Sequence, residues 1–232
     1  MEVRDDDFYL NADEFKTKRS FSWIGEKIFG RIDSLSGLSV LDVGCGNGSF
    51  INYLVGTGAD SICGIDVNDK LLSLAASKVP GAVFKGHSIE EKDLARKLGS
   101  DWDVITMLGV HSIFDEVDTW VKNLCELVAD SGVVFVFGSF NPEDIDVLVR
   151  LRKPEQDSLH LGFNRISLRT CVNEFSRYGF SVHADQFLID EKLEKQLDPT
   201  RSFTQVIDSK LTLRNGLEQF CSQYLLTIER SR

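Results

Sequence analysis

Residues 38–50, LSVLDVGCGNGSF, restrict what this chain can fold into more than any other stretch. Val40, Leu41 and Val43 are apolar around Asp42, and Gly44, Gly46 and Gly48 follow at alternate positions ahead of an apolar helical pattern. That order predicts a buried strand, a tight glycine turn and the start of a helix. Backbone angles alone would explain glycine in such a turn. A carboxylate just ahead of the glycines adds a second reading, in which the turn lets backbone approach a ligand closely.

The same unit then recurs. Residues 61–67 (SICGIDV) predict a second strand ending on Asp66, and Asn68 is placed to cap a helix over 69–78. A short third strand is expected at 82–85, a charged helix at 89–98 and a strong fourth strand at 101–109. A loop over 110–114, an amphipathic helix over 117–128, a turn at Ser131-Gly132 and an apolar fifth strand at 133–137 follow. Strand and helix alternate five times, the pattern of a parallel sheet covered on both faces. After residue 138 we expect a short helix at 143–151, a polar loop, a helix over 168–178, and strands at 180–188 and 220–228. Residues 190–216 give no clear pattern. The expected fold is Rossmann-like and doubly wound, a mostly parallel seven-stranded sheet with an antiparallel last strand.

Ahead of the sheet, Phe21, Ile24, Ile28 and Ile32 recur at helical spacing within 15–32. This is a helix packed on the domain edge or a lid with Tyr9 or Arg19 reaching inward. The chain is expected to be one domain over 1–232. In it, 1–37 form the N-terminal segment, 38–140 the ligand-binding core, and 141–166 and 190–219 acceptor-side insertions.

A formal net charge of −10 gives no positive field to attract nucleic acid or an anionic membrane. No apolar run approaches the roughly 20 residues of a membrane span, and the acidic N-terminus MEVRDDDFYL is no secretory signal. The five cysteines form no CxxC pair and read as buried thiols of a reducing, cytoplasmic setting. No His/Cys cluster or carboxylate cluster has metal-ligand spacing, so no metal is expected. Oligomeric state leaves no signal in the sequence.

Dinucleotide enzymes use GxGxxG to seat a pyrophosphate on the helix N-terminus. Here the spacing is GxGxG, and Ser49 holds the place of the last glycine. A NAD(P)-dependent oxidoreductase is therefore the weaker alternative. A ligand without phosphate but with an amino-acid portion fits better, with Asp42 near its ammonium group. At this point the sequence resembles the class I S-adenosylmethionine-dependent methyltransferases. The resemblance is carried by VLDVGCGNG (40–48), GIDV (64–67), GHSIEE (86–91) and DWDVITMLGVHSIFDE (101–116), in order over about 38–140.

The resemblance implies S-adenosyl-L-methionine as methyl donor and assigns its contacts. Gly44, Cys45 and Gly46 would line the methionine end. Asp66 would accept from both ribose hydroxyls, since a carboxylate offers two acceptor oxygens. Val67 would pack on adenine, with His87 and Ser88 at its edge, although the family more often has Asp where His87 stands. Leu108 and Gly109 would border the methionine portion. His111, just beyond the fourth strand, is the first candidate for a general base and His160 the second, while His183 reads as structural. Residues 158–230 are more loosely similar to methyltransferases of surface-glycan biosynthesis, which marks Phe163, Asn164, Arg165, Arg201 and Phe203 as acceptor-side candidates. The expected activity is methyl transfer to a small-molecule or sugar acceptor, at oxygen. A protein acceptor stays open. No Asn/Asp-Pro-Pro-Tyr/Phe run follows the fourth strand, which argues against a nucleic-acid amine as target.

Overall fold

The computed structural model describes residues 18–231 apart from positions 60, 153, 156 and 158. Tyr9 lies outside the described residues. The sheet grows from β1 (Ser39–Val43), which pairs in parallel with β2 (Ser61–Asp66) on one side and β4 (Trp102–Leu108) on the other. β3 (Val83–Gly86) extends the first side. β5 (Val128–Ser139), β11 (Gln223–Arg230) and β8 (Phe180–Phe187) extend the second, giving the order β3-β2-β1-β4-β5-β11-β8. Only β11 runs against its neighbours, pairing antiparallel with both β5 and β8. The expected seven-stranded sheet with an antiparallel last strand is present.

Strand order reverses between β1 and β4, and the crevice at that switch point opens at the carboxyl edge of the sheet. β1 shows why it is central. Leu41 and Val43 face one apolar layer, with Ile105, Met107, Trp120, Leu124 and Phe175. Val40 faces the other, with Ile24, Ile28, Leu54, Val104 and Phe135. A strand apolar on both faces can only sit inside a sheet covered twice.

Helices α1 (Arg19–Arg31), α2 (Ser49–Gly56) and α3 (Asp69–Lys78) contribute to the second layer. α4 (Leu94–Leu98), α5 (Asp118–Leu127) and α6 (Leu168–Arg177) contribute to the first. Asn68 caps α3 as expected, its side chain accepting from the amides of Lys70 and Leu71. α1 buries Phe21, Ile24 and Ile28. Gly25 lets it approach α2, because a Cβ there would run into the Tyr53 side chain. Arg19 does not reach inward. It pairs with Asp190 at 2.6 Å on the surface, both side chains more than half exposed. Lys27 with Asp185 and Arg31 with Glu229 repeat this pattern along α1, fastening it to the β8 and β11 side.

Several local expectations fail for visible reasons. The helix expected over 89–98 shrinks to α4, because the Asn123 amide donates to the carbonyls of Ile89 and Glu91 and Asp93 turns left-handed (φ 56°). β5 begins at Val128 and bulges through Ser131-Gly132 instead of turning there: Trp102 pairs with Val128 and Val104 with Val133. The helix expected at 143–151 is absent. Val147 instead exchanges both backbone hydrogen bonds with Arg165, and the Val149 amide donates to the Asn164 side chain. Two short strands, β6 (Arg150–Leu151) and β7 (His160–Leu161), close that segment on itself. Residues 190–216 hold a hairpin, β9 (Ser202–Ile207) with β10 (Lys210–Asn215), turning at Asp208 and Ser209.

Candidate cofactor site

The glycine turn after β1 is held by the end of β2. The amides of Gly44 and Cys45 both donate to the Ile65 carbonyl, at 2.7 and 3.0 Å. The Gly46 amide donates to Asp66 Oδ2 at 2.8 Å, and the Asn68 amide to Oδ1 at 3.0 Å. Asp66 therefore braces two turns and still has lone pairs on both oxygens. Gly44 has φ 69°, and a Cβ there would strike the Val110 side chain. Gly46 has φ 54°, and a Cβ there would enter open space. That space is a cavity of about 250 Å³.

The cavity wall gathers ten residues anticipated from the sequence: Asp42, Gly44, Cys45, Gly46, Asp66, Val67, His87, Ser88, Leu108 and Gly109. Asp42 is 2% exposed. It stands beside Thr106 in the strand register, and the Thr106 hydroxyl donates to its Oδ1 at 2.7 Å. Burial pushes its carboxyl up to about 7, with the Asp66 charge adding and the Thr106 hydrogen bond opposing. Burial also drives the Cys45 thiol far above the usual range, with both carboxylates adding, so this thiol is no nucleophile. Val67 is 45% exposed although apolar, which leaves a hydrophobic surface on the wall for a ring to cover.

Glu91 organises the far rim. It accepts from the Ser88 amide at 2.9 Å, lies 3.0 Å from His87 Nδ1 and accepts from Lys97 at 2.6 Å. Those bonds hold the Glu91 carboxyl down at about 2. The Ser88 amide is thus engaged within its own loop.

Neither base candidate lines the cavity. His111 lies in a 3₁₀ turn (His111–Ile113) and is fully buried. It stacks on Phe140 at 4.1 Å between ring centroids, with Nε2 at 3.1 Å from the Ser139 carbonyl. Gly138 makes room for it, because a Cβ there would meet the ring. His160 lies on β7, opposite Leu151. His183 is exposed on β8, 3.4 Å from Asp185.

None of the acceptor-side candidates Phe163, Asn164, Arg165, Arg201 and Phe203 is among the described residues that line the cavity. Asn164 is fully buried and donates to the Phe114 carbonyl and Asp115. Arg165 donates to the Phe163 carbonyl and to Gln219. Arg201 pairs with Asp198, and Phe203 lies under Lys195.

Other wall residues escaped the sequence reading. Lys18 and Phe21 come from the start of α1, Val110, Ile113 and Phe114 from the loop after β4, and Leu161 from β7. Phe21 packs edge-on against Phe50, 5.1 Å between centroids, and Lys18 Nζ sits 5.2 Å above the Phe21 ring. The helical spacing of Phe21 signalled burial and nothing more, and Leu161 sat where no period was readable. Among the described residues no group of three or more metal-ligating side chains occurs, all five cysteines are free and buried, and no helix is long and apolar enough to cross a membrane.

A family profile described as a methyltransferase domain matches residues 16–185. The ubiquinone biosynthesis O-methyltransferase of Rhizobium etli (strain CIAT 652) is 29% identical over 104 residues, 44% of this chain and 41% of that protein. The protein of the same name from Acinetobacter baylyi is 30% identical over 123 residues, 52% of this chain and 49% of that one. The chain spans about half the length, or less, of the curated relatives it matches. Among solved structures, magnesium protoporphyrin IX methyltransferase from Synechocystis PCC 6803 with bound SAH superposes with a TM-score of 0.60 at 15% identity, over 97% of this chain and 93% of that one. An S-adenosylmethionine dependent methyltransferase from Mesorhizobium loti gives 0.60 at 14% identity, over 90% and 98%. With the profile spanning well over half of its length, this chain belongs to the methyltransferase-domain family, within the class I S-adenosylmethionine-dependent methyltransferases.

Proposed function

We propose that the chain transfers a methyl group from S-adenosylmethionine to an oxygen of a small molecule. The observation that carries this reading is a cavity at the sheet's switch point that sets the carboxylates of Asp42 and Asp66 and the glycine turn beside the apolar side chains of Phe21, Val67, Val110, Ile113, Phe114 and Leu161. When bound, the cofactor supplies a methyl group already activated on a sulfonium sulfur. Asp66 holds the ribose hydroxyls with the lone pairs its backbone partners leave over. Asp42 faces the ammonium end, beside the open backbone of Gly44, Cys45 and Gly46, and Leu108 and Gly109 border that portion. Val67 covers one face of the adenine. With the Ser88 amide given to Glu91, the adenine edge falls to the His87 ring and the Ser88 hydroxyl.

Phe21, Val110, Ile113, Phe114 and Leu161, also on the wall, suit an aromatic or aliphatic acceptor and exclude water from it. Alignment of the nucleophile is the main task left to the protein. Lys18 is the one lysine or arginine among the described wall residues. An acceptor that loses its proton readily, a phenol or a carboxylic acid, fits a site with Lys18 and no imidazole base from His111 or His160. The O-methyltransferase names of the curated relatives support oxygen as the target.

The test is incubation with methyl-labelled cofactor and a panel of phenols and carboxylic acids. Label should appear in the small-molecule fraction, as ether or ester. Label in protein or RNA alone would overturn the reading.

His111→Ala should then act on stability. Losing a fully buried ring and its hydrogen bond is expected to cost about 2–4 kcal/mol in urea unfolding. The affinity for S-adenosylhomocysteine and the pH profile of transfer should stay as in the wild type. A stable variant with turnover cut about 10²-fold and an altered pH profile would restore His111 as the base.

A further inference from the structure

We infer that Glu91 fixes the tautomer of His87, so that the ring offers Nε2 as an acceptor to the amino group of the cofactor's adenine. Glu91 is thus a positioning residue, and His87 selects adenine over a base with a carbonyl at that place. The inference rests on the cavity being the cofactor site and concerns how that site reads the base.

His87 stands where the family more often has Asp. A carboxylate there can only accept, which is what the exocyclic amine of adenine requires. A neutral imidazole has one donor and one acceptor nitrogen, and the partner of one decides the role of the other. The partner of Nδ1 is Glu91 Oε2, 3.0 Å away. That oxygen also accepts from Lys97 Nζ at 2.6 Å, while Oε1 accepts from the Ser88 amide at 2.9 Å. Lys97 first and the Ser88 amide next hold the Glu91 carboxyl down at about 2, so it has no proton to give. Nδ1 is therefore the donor of the pair, and Nε2 keeps its lone pair.

The ring is also placed for the task. The His87 amide donates to the Asp66 carbonyl at 3.0 Å, which anchors it beside the residue proposed to hold the ribose. His87 and Ser88 both line the cavity. The Ser88 hydroxyl oxygen accepts from the Glu90 amide at 3.2 Å, and its proton can turn toward a ligand or away from it. A hydroxyl thus serves either base, and the choice between them falls to His87.

Glu91→Gln tests this. The glutamine oxygen keeps the Ser88 amide, its NH2 then stands beside Nδ1, and the half-exposed Lys97 turns to solvent. Nδ1 becomes the acceptor and Nε2 the donor. The first readout is the ring-nitrogen NMR spectrum of the histidine-labelled chain without ligand at pH 8. With four histidines in the sequence, His87→Ala assigns the signal. The proton should sit on Nδ1 in the wild type and on Nε2 in Glu91→Gln. The second readout is calorimetric titration with S-adenosylhomocysteine and S-inosylhomocysteine, whose base carries a carbonyl in place of the amine. The wild type should prefer S-adenosylhomocysteine about tenfold or more, and Glu91→Gln should reverse the order. In the His87→Ala background, Glu91→Gln should leave the ratio of the two affinities unmoved. A Glu91 that only braced the Ser88 loop would, on substitution, weaken both ligands alike. Both side chains are partly exposed, and an unchanged urea midpoint verifies the fold. The wild-type spectrum decides even where a variant does not fold. A wild-type ring protonated on Nε2, or a base preference that Glu91→Gln leaves as it was, would overturn the inference while the cofactor site stands. Failure of S-adenosylhomocysteine to bind the wild type at all would remove the site reading and this inference with it.

Discussion

Asp66→Ala is expected to weaken S-adenosylhomocysteine binding by about 3 kcal/mol or more, a hundredfold or greater in affinity. Two losses combine. The ribose loses a charged acceptor, and hydrogen bonds to charged groups contribute about 1.5–3 kcal/mol. The Gly46 and Asn68 amides also lose their common partner, so the glycine turn is no longer braced against the end of β2. A ligand lacking the ribose 2′- and 3′-hydroxyls separates the two. It should bind more weakly to the wild type, and the substitution should then cost it less than it costs the complete ligand. Equal costs for both ligands would confine Asp66 to bracing the loop.

Asp42→Asn is expected to stabilise the empty protein and to impair its binding. In the folded chain the Asp42 carboxyl is raised to about 7 from an ordinary value near 3.8. Between those values the unfolded chain has lost this proton while the folded chain keeps it. The group's contribution to stability is therefore full below about pH 4 and is lost as pH rises through 7. Asparagine keeps an oxygen for the Thr106 hydroxyl and never charges. At pH 8 the variant should exceed the wild type by about 2–4 kcal/mol in urea unfolding, and near pH 4 the two should converge.

Binding should move the opposite way. A ligand ammonium favours the carboxylate, so the wild type must release a proton to bind below pH 7. Its affinity should fall about tenfold per pH unit there. The variant should bind at least tenfold more weakly at pH 8 and show no such slope. A variant that is no more stable at pH 8, with a pH profile of binding like that of the wild type, would contradict the placement of Asp42.

The parts of the fold legible in the sequence are those where one residue type has one physical reason to be there. Val40, Leu41 and Val43 are apolar on both faces of a central strand, and Gly44 and Gly46 sit at left-handed angles. Asn68 stands where α3 needs a cap. What stayed illegible was decided by distant partners. Residues 143–151 have the composition of a helix, yet Arg165 and Asn164 claim their backbone, and Asp146 turns to the Ser167 amide and the Thr170 hydroxyl at the start of α6. The β9–β10 hairpin turns on Asp208 and Ser209, both at positive φ, without the glycine that usually announces such a turn.

The site divides along the same line. Its glycines and carboxylates follow one another along the strand ends and were readable. Phe21 and Leu161 reach the cavity from elements far apart in sequence, so only the folded chain brings them to it. His111 lies just beyond β4, where the sequence suggested chemistry, and the backbone at Gly138 and the Phe140 ring receive it in the core, outside the cavity wall.

One titration reaches the centre of this account. S-adenosylhomocysteine and NADH are each added to the purified chain in a calorimeter at pH 8. The account predicts one S-adenosylhomocysteine bound per chain, lost in the Asp66→Ala variant, and no heat from NADH. Binding of NADH with none of S-adenosylhomocysteine would contradict it.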